Sequence, residues 1–216
     1  MILQNKLNIT DQVELAKVEE KLSKQKASKL FTTGFLDTLE AGSFESLSKI
    51  HEYLFSEIYD FAGKIRDVNI SKGNFRFAPV AYLEVAIQNI EEMPQKTYDQ
   101  IIEKYVEMNI AHPFREGNGR SMRIWLDIIL KKELKKVVDW STVDKDDYLL
   151  AMERSPIKDI EIKVLLKDAL TTKIDDKKIY MKGIDTSYYY EGYVLYSMED
   201  EIIKDKKIGE ISQIQT

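Results

Sequence analysis

Apolar residues three and four positions apart recur along nearly the whole chain, the spacing that gathers them on one face of an α-helix. Between residues 11 and 30, Val13, Ala16, Val18, Leu22 and Leu30 trace a loose stripe among many Lys and Glu side chains. This predicts a surface helix capped by Asp11. A second helix is expected over 44–61, where Leu47, Ile50, Leu54 and Ile58 share a face. His51 falls inside it and is read as packing or surface polarity, because no acid, serine or second ligand is patterned around it. Further helices are expected at 79–93, 97–111, 119–136, 145–154 and 159–170. The stretch 177–183 reads as a strand or a turn, and the following TSYYYEGYVLY has helical spacing between Tyr189, Tyr193 and Tyr196. One segment breaks the habit: NISKGNFRF, residues 69–77, has the turn dipeptide Gly73-Asn74 between Ile70 and the alternating Phe75 and Phe77, the mark of a short hairpin. The fold class is mainly α.

Composition narrows the chemistry. The 216 residues suit one compact unit, and 44% hydrophobic with 32% charged residues describes a globular chain rather than a disordered one. With 32 basic and 37 acidic side chains the net charge is −5, so the overall field draws in neither nucleic acid nor an acidic membrane. Any phosphate must be held locally. Cysteine is absent, which removes disulfides, thiolate metal sites and a cysteine nucleophile. No secretory or membrane-spanning pattern stands out, and the expected compartment is the cytoplasm. Only two histidines occur, His51 and His112, too few for a multi-histidine metal site.

The rarest useful groups are concentrated in AHPFREGNGRSMR, residues 111–123. Gly117 and Gly119 flank Asn118 at the start of a helix, so successive amides can converge on an anion. A helix dipole alone contributes about 0.3–1 kcal/mol at an exposed site. Arg120 and Arg123, three residues apart on one helical face, add charge-assisted bonds worth about 1.5–3 kcal/mol each. Glu116 supplies a hard oxygen suited to Mg²⁺, which takes one or two carboxylates together with phosphate oxygens and water. His112 is the proton acceptor of the segment. The next helix carries Ile124, Trp125, Leu126, Ile128, Ile129 and Leu130 and must be central, so the two arginines at its mouth need partners. Spacing alone leaves two kinds of partner open: a bound anion, or an internal salt-bridge network with Asp127.

His112, Phe114, Glu116, Gly117, Asn118, Gly119, Arg120 and Arg123 resemble in full the Fic family signature HxFx(D/E)GNGRxxR. The resemblance implies a helical Fido core and transfer of AMP from ATP to a Tyr, Ser or Thr hydroxyl of a target protein, with release of pyrophosphate. It assigns His112 as the base and Glu116 to Mg²⁺ or Mn²⁺. Gly117, Asn118 and Gly119 would cradle the α- and β-phosphates, and Arg120 and Arg123 would orient the distal ones. Phe114 would be the buried anchor of the loop. The hairpin (Ile70, Ser71, Lys72, Gly73, Asn74, Phe75) fits the family's β-hairpin flap, which registers the target segment by main-chain pairing, with Lys72 reaching nucleotide or phosphate.

Downstream, Ser187-Tyr188-Tyr189-Tyr190-Glu191-Gly192 is similar to the family's inhibitory pattern (S/T)xxxE(G/N). It implies a C-terminal inhibitory helix around 186–196 whose Glu191 pairs with Arg123 and impedes ATP. The same resemblance implies self-association and modification of the chain's own tyrosines, with Tyr188 and Tyr193 as candidates. Removal of AMP using Glu191 is an alternative direction of reaction, and an ATP-binding sensing or interaction module without turnover is an alternative of another class. The expected organisation is one catalytic domain over 1–198, including the inhibitory helix, followed by a charged tail over 199–216.

Overall fold

A computed structural model describes residues 2–72 and 75–190. The turn dipeptide Gly73-Asn74 and everything from Glu191 onward, including Gly192, Tyr193 and the tail, lie outside the described residues. Among those described, eight α-helices surround a core centred on α5, with two small antiparallel hairpins. The helices are α1 (Gln12–Thr32), α2 (Phe44–Phe55), α3 (Val80–Glu92), α4 (Tyr98–Ala111), α5 (Asn118–Leu134), α6 (Lys145–Arg154), α7 (Ile160–Asp168) and α8 (Lys177–Tyr190). No helix among them is long and apolar enough to cross a membrane.

The apolar face that makes α5 central is buried as expected: Trp125, Leu126, Ile129 and Leu130 are sealed from solvent between α2 and α4. Burying each such side chain is worth about 1.5–3 kcal/mol, and Trp125 also donates its indole N–H to the Ser43 carbonyl. At α4, Thr97 and Gln100 form a reciprocal capping box. The hairpin expected to be a flap pairs β1 (Ser71–Lys72) with β2 (Phe75–Arg76), Ser71 opposite Arg76 and Lys72 opposite Phe75. The second hairpin pairs β3 (Val137–Val138) with β4 (Leu170–Thr171).

Three expectations need correcting. Helix α2 ends at Phe55, not 61: Ile58 is buried from a turn outside the helix, where its carbonyl accepts from Lys6 N–H at 2.8 Å and ties the N-terminal segment down. The stretch 177–183 is neither strand nor turn but the first half of α8, in which Gly183 lets the helix lie directly on Trp140. Most consequentially, α1 is no simple surface helix. Val13 is exposed, and the inward face is Leu15, Glu19, Glu20, Ser23, Lys24, Ala27 and Leu30. Four of those seven residues are polar or charged, which hid the face from a hydrophobic-period reading.

Candidate active site

The signature occupies the junction of α4 and α5. His112 terminates α4 in a left-handed conformation (φ 49, ψ 63), its N–H bonded to Met108 O at 2.9 Å. Four residues after α4, 112–115, are followed by Glu116 and then Gly117, which caps α5 with φ 75. Glycine is required at this cap for two reasons: the dihedral is left-handed, and a Cβ would lie 2.5 Å from a Phe55 ring carbon. The Asn118 side chain closes the loop on itself, accepting from Phe114 N–H at 2.8 Å and donating to Phe114 O at 2.7 Å. Phe114 is fully buried, stacked on His51 with centroids 3.9 Å apart, and is the anchor the signature implied.

His51, assigned to packing or surface polarity, is buried and does more. Its Nδ1 accepts from Gly63 N–H at 2.9 Å, so Nε2 carries the proton and donates to the Glu116 carbonyl at 2.7 Å. Burial, aided by the nearby Arg120 charge, pushes its pKa down to about 3, and the ring stays neutral. A second residue that sequence reasoning passed over is Arg66. Its guanidinium donates to the carbonyls of His112 (2.8 Å), Ala111 (3.1 Å), Val68 (2.7 Å) and Ala78. It thereby satisfies the orphan carbonyls at the end of α4 and fastens the base of the flap to the loop. Its one sequence signal was a lone arginine between a helix and a hairpin.

The His112 ring is half-buried, stacked on Phe77 of the flap segment with centroids 3.7 Å apart. Its Nδ1 lies 3.3 Å from Asn109 O, an arrangement that puts the ring proton on Nδ1 and the lone pair on Nε2. Glu116 is 42% exposed, and its Oε1 accepts from Gly117 N–H at 2.9 Å and from Arg120 at 3.1 Å. Its Oε2 has no partner among the described residues, leaving an oxygen for a cation. No cluster of three or more potential metal ligands occurs among the described residues. The site therefore fits an ion that needs one protein carboxylate and brings phosphate and water ligands with it, as Mg²⁺ does. On the flap, Ser71 and Lys72 are exposed.

The two arginines are both buried, and the partners described for each differ. Arg120 runs between Glu19 of α1, at close salt-bridge contact, and Glu116, with its guanidinium over the rings of Phe55 (4.9 Å) and Tyr188 (5.2 Å). Arg123 donates to both the hydroxyl and the carbonyl of Ser187 in α8, the carbonyl at 3.0 Å. Its guanidinium lies 5.3 Å from the Tyr190 ring centroid. Asp127 meets neither arginine. It accepts from Val138 N–H at 2.8 Å and the Trp140 indole at 2.9 Å, and burial pushes its pKa up to about 7. An internal salt bridge thus exists, with a different acid from the one spacing suggested.

Tyr188 is 2% exposed, and its hydroxyl donates to Ser23 of α1. Modification at that oxygen requires α8 to leave. Helix α8 is further tied to α1 by Lys24–Asp185 at 2.8 Å and by Tyr180 O–H to Ala27 O at 2.9 Å. A cavity of about 410 Å³ opens away from the signature, between the C-terminal ends of α1 and α5, and is lined by Phe31, Leu36, Ile128, Lys131 and Tyr180.

Comparison with known proteins accords with this geometry. Residues 42–130 match the Fic/DOC family model. Protein adenylyltransferase VbhT of Bartonella schoenbuchensis is 32% identical over 161 residues, covering 68% of this chain and 32% of that protein. The chain thus spans about a third of that relative. A probable protein adenylyltransferase Fic of Escherichia coli strain K12 is 27% identical over 174 residues, covering 74% of this chain and 82% of the relative. Among solved structures, the BepC protein of Bartonella tribocorum, with bound AMPPNP, superposes with a TM-score of 0.64 at 20% identity over 79% of this chain and 93% of that one.

Proposed function

The chain carries a Fic/DOC family domain, and from that premise we propose that it is a protein adenylyltransferase, moving AMP from ATP to a hydroxyl side chain of a target protein and releasing pyrophosphate. The observation that carries the proposal is the built loop at the α4–α5 junction, where a histidine, a half-exposed carboxylate and a helix N-terminus converge. His112 takes the proton of the attacking hydroxyl on Nε2, the nitrogen left basic by the Nδ1 contact. The hydroxyl oxygen bonds to the α-phosphorus as the bond to the pyrophosphate oxygen breaks. Amides of the Gly117–Gly119 turn face the phosphates, and Glu116 would hold Mg²⁺, which when bound would supply positive charge beside the phosphates. The flap pairs with an extended segment of the target by main-chain hydrogen bonds, giving register without strong side-chain selection.

Docked α8 is the restraint. Arg123, the ligand proposed for the distal phosphate, is held by Ser187, the first residue of the inhibitory pattern. Glu191, four residues on, would add a carboxylate to the same guanidinium and repel incoming phosphate. The catalytic unit accordingly includes α8 and the few residues after it. Mass spectrometry of Glu191→Gly protein incubated with Mg-ATP tests the proposal. A covalent adduct with the mass of one adenylyl group, absent when His112→Ala is added, is the expected result. ATP binding with no adduct in any variant would favour a sensing module instead.

A further inference from the structure

Resting on the adenylyl-transfer reading, we propose that Glu19, in α1 and outside the signature, is a positioning residue that sets how strongly Glu116 holds the divalent cation that accompanies the nucleotide. Glu19 is 1% exposed, and a carboxylate so placed needs partners for its charge. It has two: the Tyr59 hydroxyl donates to Oε2, and Arg120 donates to Oε1. The other arm of the same guanidinium reaches Glu116 Oε1 at 3.1 Å. One cation is therefore shared between a buried acid and the acid of the catalytic loop.

The sharing is unequal. The side chains of Arg120 and Glu19 are both 2% exposed and in close contact, whereas Glu116 is 42% exposed and its contact is longer. Coulomb interaction is stronger where water is excluded, so the positive charge of Arg120 is spent mainly on Glu19. Glu116 consequently keeps most of its negative charge for a metal ion. The rings of Phe55 and Tyr188 lie against the guanidinium and hold it in this bridge. Arg120 thus works through Glu116 rather than as a direct copy of Arg123.

Neutralising Glu19 while keeping its shape turns the charge of Arg120 toward Glu116 and the nucleotide. That has opposite effects on two forms of one ligand: the cation is held less well, and metal-free ATP, a bare anion, is held better. A merely structural role for Glu19 would weaken both together. The test measures ATP affinity by calorimetry on the full chain carrying Glu191→Gly, in Mg²⁺ and in EDTA, with and without Glu19→Gln. We expect the Mg²⁺-dependent gain in ATP affinity to shrink about tenfold while affinity in EDTA rises or holds. Tyr59→Phe, which removes one bond to Glu19, should move both values in the same directions by less, and it stands as the decisive variant if Glu19→Gln does not fold. Equal loss in both media, or no change in either, overturns the proposal. If the Glu191→Gly parent binds no ATP in either medium, the adenylyl-transfer reading itself fails, an outcome distinct from a parent that binds and ignores Glu19.

Discussion

The loop half of the signature, residues 112–118, and its helical half, residues 119–123, are gripped in different ways. In the loop, side chains seize main-chain atoms: His51 takes the Glu116 carbonyl, Arg66 the His112 carbonyl, and Asn118 both polar groups of Phe114. All come from within the central helices and the segment joining α2 to the flap. In the helical half the gripped groups are the arginine side chains, and the gripping residues, Glu19 and Ser187, come from the first and last described helices. The contrast teaches a division of labour. The positions of His112, Glu116 and the start of α5 are built into the core, while the charge of the two arginines is held from the first and last described helices.

Breaking the loop half should have the largest effect. His51→Ala removes a ring packed between Phe55 and Phe114 and leaves Gly63 N–H and Glu116 O without their partner. The expected loss is about 3–5 kcal/mol, read as a lower urea midpoint at unchanged slope, and transfer activity should vanish even in Glu191→Gly protein. A loss under about 1 kcal/mol would mean the loop is held by other means.

The same residue gives the loop half a pH signature. With its folded pKa depressed to about 3, His51 favours the native state fully above pH 6.5. That advantage drains as pH falls from about 6.5 toward 3, at up to about 1.4 kcal/mol per unit. Thermal melts of His51→Gln should lack this component. Asp127, raised from 3.8 to about 7, slopes the other way, costing stability as pH rises through that interval, and Asp127→Asn should flatten it.

The helical half is expected to yield activity rather than lose stability. Ser187→Ala deletes one of the two bonds to Arg123, about 1.5–3 kcal/mol for a charged partner. Self-labelling should increase by roughly ten- to hundredfold. The smallest expected effect belongs to Asp185→Asn, because buried Lys24 keeps its pair with Glu20 at 2.9 Å when that with Asp185 is lost. It should raise labelling by at most severalfold, measured alongside Ser187→Ala.

Sequence periodicity placed α3 to α7 within a residue or two, because apolar residues recur at helical spacing along their buried faces. The loop was legible as chemistry for a related reason: His112, Glu116 and the glycines carry unusual groups at a helix junction. What escaped reading were polar residues that act inward. Glu19, Ser23 and Lys24 on α1 carry a solvent-facing composition and are buried only because α5 and α8 offer them partners distant in sequence. Arg66 and His51 were missed likewise, since their partners are backbone carbonyls and amides, which every sequence contains and no pattern marks. Helix α8 read poorly at its start because Gly183 and the charged run before it break the apolar period that packing on Trp140 makes unnecessary.

The central claim, that the loop presents the α-phosphorus of ATP to a hydroxyl, is tested most directly by isotope position. Glu191→Gly protein given ATP labelled on the α-phosphate should become covalently labelled, and the same protein given ATP labelled on the γ-phosphate should not. Retention of the γ label with loss of the α label would contradict the account.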